Sequence, residues 1–295
     1  MAQSKQQQRR RPRPQSSNRV VPAVARPTAP IGPLATVDSD RERNGRWPLK
    51  ASIVGGVIVG VIAGLIGLPI SPIIGICVAV VIGVFFAITL RRVTPGAPER
   101  VIGGVAVEPG VLSRVETVID RLCASFGVAA PRISVLDDRV LNAAIVGPVG
   151  SPVVVVTTGL IKDLSVVELE GVLAHLLAHE RLNAVERGSV GAGIALLLGP
   201  LGRRPGIAHG LTGKGRLFRA DEIAAITIRY PVGLASALAK MSAGPLPVPE
   251  SFFAGPSFDA TRWLFVDPSI ARRSRAEEIG DVDATSVRQA ALDEW

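Results

Sequence analysis

A chain of 295 residues is long enough for one globular domain with appendages, and its mean hydropathy of +0.37 is high for a water-soluble protein. The net charge of +8 sits entirely in residues 1–50, with 11 Lys and Arg against 3 Asp and Glu, whereas residues 51–295 hold 22 of each. The globular part therefore has no charge excess for nucleic acid, and two cysteines, Cys77 and Cys123, exclude a disulfide framework. Arg outnumbers Lys 28 to 5 beside abundant Ala, Val and Gly, a composition that suggests a GC-rich bacterial genome.

Residues 1–46 are rich in Gln, Arg, Pro and Ser and have no apolar periodicity, so residues 1–50 read as a disordered basic tail. Such a tail either lies on anionic lipid headgroups or only sets topology. Residues 51–90 carry no charge at all, enough for two spanning helices of roughly 20 residues each. Pro69 and Pro72 break the helical ladder midway, which gives a transmembrane hairpin of 51–68 and 73–90. Neither segment has a polar face, as a pair of core helices in a soluble protein would. Basic residues on both flanks, among them Arg91, Arg92 and Arg100, place the N-terminus and the following domain in the cytoplasm of a bacterial cell. Gly56, Gly60 and Gly64 share one face and predict close packing, most simply within the hairpin.

Residues 91–110 read as a linker. Apolar spacing over 111–126 predicts an amphipathic helix ended by Gly127, followed by short strands at 132–136, 140–146 and 152–157. Four consecutive valines mark the last as buried on both faces. Ser165 and Glu168 form a capping-box pattern at the start of a helix that carries His175-Leu176-Leu177-Ala178-His179. Histidines four apart on a helix share a face and can bind one zinc ion. In zinc peptidases a glutamate follows the first histidine and takes a proton from the metal-bound water. Here that place belongs to Leu176, which cannot accept a proton. The uncharged stretch 188–202 is expected to be buried or to dip into the membrane face. Residues 217–241 are read as one further helix, with His209 in a glycine-rich loop before it.

In this order the pieces resemble the HtpX-like membrane metallopeptidases, relatives of the prenyl-protein endopeptidases, over roughly residues 111–268. The resemblance rests on Pro131 through Leu136, Asn142-Ala143, the VVVVTTGL run of 153–160, the LSVVELEGVLA run of 164–174, Phe218 through Asp221 and the TRWLFVDP run of 261–268. It implies an α+β, mainly helical fold: a transmembrane hairpin, then a zincin-like peptidase domain over 111–295. It also implies His175 and His179 as metal ligands and a Glu-x-x-Ala-Asp pattern for the third. Read back from Ala220-Asp221, that glutamate position is Leu217. The His-Pro-Pro element often seen after the TRWLFVDP-like segment is absent.

Two acids are thus replaced by leucine, and Leu176 and Leu217 are expected to face one another across the cleft. Glu180 and Asp221 each lie one turn from a lost acid, about 5–6 Å along the helix axis, too far to substitute. His209 could instead close onto a metal. The favoured reading is a catalytically inactive membrane pseudopeptidase with no bound cofactor, zinc being the metal if one is held. It would bind membrane lipid and a protein or peptide partner, the latter beside the 153–157 strand. The alternatives are an active zinc endopeptidase of membrane protein quality control and a membrane assembly or scaffold protein.

Overall fold

The computed structural model describes residues 36–106, 108, 110, 112–270 and 281–295. The expected basic tail lies largely outside them, but its last part does not. Helix α1 runs Thr36–Gly67, so residues 36–50, read as tail, are helical. Packing explains the difference, because Asn44 Nδ2 donates to Leu182 O at 2.8 Å and Arg219 Nε reaches Asp40 at 2.9 Å. Those contacts stabilise turns that have no apolar periodicity of their own.

Helix α2 (Pro72–Val93) returns antiparallel after a short turn at the two prolines. The glycine stripe packs inside the hairpin, as expected. A Cβ at Gly60 would lie 2.5 Å from Ala79 O, and one at Gly56 2.5 Å from Gly83 O. The outer faces are bare hydrocarbon, with Ile66 75% and Phe85 71% exposed, and both helices are long and apolar enough to cross a membrane.

The region read as linker contains α3 (Ala97–Ile102) and β1 (Val105–Ala106). Helix α4 (Ser113–Phe126) ends at Gly127, whose φ of +65° suits the residue without a Cβ. Strands β2 (Arg132–Leu136), β3 (Ala143–Val146) and β4 (Val153–Thr157) join β1 in a sheet of order β1-β2-β4-β3. β4 pairs parallel with β2 and antiparallel with β3, and all five of its residues are buried. It is thus an inner strand with both edges used, and the expectation that a partner peptide lies beside it is overturned. The outer edge of β3 is covered by the chain itself: Val266 N donates to Ala143 O at 2.9 Å and Ala144 bridges Phe265.

After α5 (Thr158–Asp163), helix α6 (Val166–Arg181) begins with the expected capping box. Its middle is buried on all sides. Gly171 lets the backbone at Leu234 approach, where a Cβ would sit 2.5 Å from Leu234 N. Helix α7 (Ala184–Leu197) buries Gly188 to Gly193, and α8 (Pro205–Thr212) replaces the loop expected around His209. The single helix expected over 217–241 is two, α9 (Arg216–Ile228) and α10 (Val232–Ala243). Arg229 at φ +55° and Pro231 break it, since proline disfavours helical geometry in the residue before it. Helices α11 (Pro256–Thr261) and α12 (Thr285–Asp293) complete the fold.

Candidate functional site

His175 and His179 sit one turn apart on α6, both fully buried, with ring centroids 4.8 Å apart and planes at 86°. Because α6 is enclosed by α4, α9 and α10, the two imidazoles lie in the interior rather than on a surface. His175 Nδ1 lies 2.6 Å from Asp221 Oδ1 on α9. Arg288 of α12 grips the same carboxylate, Nε to Oδ2 at 2.5 Å and Nη2 to Oδ1 at 2.9 Å, and donates Nη1 to Val266 O. Burial alone would raise the Asp221 pKa, but Arg288 and His175 outweigh it and hold the acid below its usual range. An ionised Asp221 can only accept, so Nδ1 of neutral His175 donates and Nε2 is left with a lone pair. That Nε2 and both nitrogens of His179 are buried without a hydrogen-bond partner among the described residues.

Such a carboxylate behind an imidazole is the usual support for a metal-binding histidine. The rest of the surroundings is different. Burial, and then the Arg216 guanidinium, press the His179 pKa well below 6.5. Arg216, the first residue of α9, is itself buried, and burial lowers its pKa to about 10. Its Nη2 donates to Trp263 O, while Nη1 lacks a partner among the described residues and packs over Gly188, where a Cβ would lie 3.1 Å away.

The two leucines do not meet. Leu176 belongs to the main core, whereas Leu217 packs in a separate cluster with Ala195, Ala208, Ala260 and Trp263. Helix α9 turns position 217 toward α7, α8 and α11. Asp221 is likewise no displaced ligand; it is the partner of His175. His209 does not join the pair either. Its Nδ1 and Nε2 face Asp281 at 3.0 Å and Asp283 at 2.6 Å, and its ring stacks on Trp263 at 3.7 Å. Asp283 also accepts from Gly215 N and Phe218 N, which fixes the start of α9. Among the described residues, the one group of three His and acid side chains with ligand atoms within 4.8 Å is this cluster, away from the histidine pair. An open cleft of about 510 Å³ lies elsewhere again, lined by Asp137, Asp138, Arg139, Lys162, Glu250 and Ser251.

Sequence reasoning passed over Arg216, Arg288, Asp281 and Asp283. Arg216 precedes Leu217 directly, and a cation beside a lost acidic ligand was a usable signal. Arg288 lies 67 residues from Asp221, and no local pattern links them.

Residues 111–207 match the model of peptidase family M48. This segment is M48-like. It contains strands β2 to β4 and helices α4 through α7, and so the helix with both histidines. The chain is 34% identical over 165 residues to the Protease HtpX homolog of Dictyoglomus thermophilum, covering 44% of this chain and 54% of that one. With the Protease HtpX homolog of Halobacterium salinarum it shares 34% over 100 residues, 34% of this chain and 35% of the relative. For that of Tropheryma whipplei the figures are 26% over 170 residues, 46% and 58%. The chain spans about half the length of the curated relatives it matches first. The likeness is therefore to HtpX-type metallopeptidases, and the two apolar helices associate this chain with a membrane.

Proposed function

We propose that this chain is a membrane-anchored HtpX-like pseudopeptidase of the bacterial cell membrane that acts by binding a protein or peptide, not by hydrolysis. The observation that carries the reading is the hydrocarbon and the buried guanidinium that surround the histidine pair. A catalytic zinc site holds three protein ligands and a water. Around His175 and His179 the described residues supply two imidazoles, Leu176 directly after the first histidine, and the buried cation Arg216 as the strongest charge acting on His179. A divalent cation placed there would keep its charge uncompensated beside another positive group, which is strongly unfavourable in a dry interior. The donor set does not fit catalytic zinc. The Asp221–Arg288 pair then serves as a structural clamp between α9 and α12.

The N-terminus and the M48-like domain are proposed to be cytoplasmic, by the basic flanks of the hairpin. With β4 internal and the β3 edge covered, strand addition is closed at those two strands, and partner binding is proposed to use side-chain surfaces.

Elemental analysis of the detergent-purified full chain tests the reading, together with an assay on unfolded casein-like and membrane substrates. Zinc well below one per chain and no chelator-sensitive cleavage are expected. The double variant Leu176→Glu/Arg216→Met, which puts an acid beside the histidine pair and removes the competing cation, should raise zinc occupancy. About one zinc per unmodified chain with chelator-sensitive digestion would establish the active-peptidase alternative instead.

A further inference from the structure

The hairpin register fixes where the domain meets the membrane. Gly56 lies over Gly83, Gly60 over Ala79 and Gly64 over Gly75, so four residues up α1 correspond to four residues back along α2. Extending that antiparallel register by eleven residues puts Gly45 level with Thr94, which still continues the α2 helix through its N–H to Leu90 O. Helix α7 touches both. A Cβ on Gly45 would lie 3.3 Å from Asn183, and one on Gly193 would lie 2.5 Å from Thr94 O. The start and the middle of α7 are therefore at one height, and α7 runs across the hairpin, parallel to the membrane plane.

Its height is that of the headgroups. Gly45 precedes the first residue of the uncharged run by six positions, about 9 Å of helix. The headgroup layer is roughly 5–8 Å deep on each side of the hydrocarbon, and a long side chain spans the difference. Beyond Thr94, α7 continues into a tip that leaves the protein. Leu197 is 62% exposed, Leu198 42% and Leu201 46%, and Arg203 and Arg204 beside them are exposed. Leu197 lies on the same stripe of α7 as Glu186 and Gly193, which face Arg91 and Thr94 of the hairpin. Three bare leucines next to two arginines, at this height, have the composition of a segment that lies in an anionic lipid interface.

We infer that the tip from Leu197 to Arg204 is a second membrane contact, its leucines entering the acyl boundary and its arginines meeting anionic headgroups. It would fix the tilt of the domain against the bilayer, which a hairpin alone leaves free to swivel. This rests on the hairpin spanning the membrane, and the test separates the two claims.

Full-length chain with Cys77→Ala is reconstituted into vesicles of phosphatidylglycerol and phosphatidylcholine. Cysteines introduced by Ile62→Cys, Leu198→Cys or Ser125→Cys are spin-labelled, and collisions with oxygen and with a water-soluble nickel chelate are compared. The expected result is a nickel accessibility severalfold lower at position 198 than at exposed position 125, with position 62 fully shielded. The shielding at 198 should weaken in pure phosphatidylcholine and in an Arg203→Gln/Arg204→Gln background. Equal nickel accessibility at 198 and 125, with 62 shielded, overturns the tip contact alone. Nickel reaching position 62 would sink the hairpin reading first.

Discussion

Arg288, Asp221 and His175 form a buried relay in which each group satisfies the next, and its energetics are asymmetric. Removing the guanidinium leaves Asp221 ionised with one hydrogen-bonded partner in a dry interior. Arg288→Met should therefore destabilise the chain by about 3–5 kcal/mol, whereas Arg288→Lys, which keeps the charge but not the fork, should lose less. Urea unfolding of the detergent-solubilised protein measures both, and a Met variant as stable as the parent would show that the clamp contributes nothing. The histidines add a pH dependence. Burial lowers the pKa of His175 and His179 below 6.5, so the unfolded state takes up protons first. Stability is complete above about pH 6.5 and falls as the pH drops toward the depressed folded values. The urea midpoint should fall between pH 7.5 and 5.5, and fall less in His179→Leu; the same drop in both proteins would remove His179 as a cause.

At the scale of elements, α6 is held by its cap and the hairpin by its glycines. Glu168 closes the capping box through Ser165 N at 2.8 Å and is bonded by Ser236 and Lys240 of α10. Burial would raise its pKa, but Lys240, Ser236 and Ser165 bring it down to about 2. Its contribution is therefore present above about pH 4.5 and is lost as the pH falls toward 2. Glu168→Gln should cost about 1–3 kcal/mol at pH 7 and flatten the stability profile between pH 5 and 3. In the hairpin, Gly60→Leu must push aside the Ala79 backbone and should cost about 1–3 kcal/mol or separate the helices. Ile62→Leu on the outer face should be close to neutral. Comparable melting of the two hairpin variants would mean that α1 and α2 do not pack through the glycine stripe.

At the scale of the whole molecule, topology is the first property to check. Ser39 and Ser125 are exposed, while Ser134 is buried in β2 and unsuited to labelling. With Cys77 replaced, the native thiol Cys123 should stay silent, because burial, with Asp120 and Glu180, raises its pKa to about 11. Impermeant maleimide should label Ser39→Cys and Ser125→Cys only after the cells are opened. Labelling of either in intact cells would reverse the orientation.

Much of this protein could be read from local pattern. The hairpin, the amphipathic α4, the valine strand and the capping box each follow from forces acting within a few residues: apolar run length, helical periodicity, a proline, a cap. The motif spacing likewise placed His175 and His179 together and showed leucine after the first histidine. What the sequence could not supply was every feature made by distant partners. Residues 36–50 are helical because α7 and α9 bind them, and β4 is an inner strand because β3 folds against it. Leu217 faces Trp263 rather than Leu176, because His209, Asp281 and Asp283 set how α9 starts. The charges that decide the chemistry around the histidines, Arg216 and Arg288, arrive from helices 41 and 113 positions after His175. Electrostatic energy depends on distance in space, and distance in space is what a linear chain leaves open until it folds.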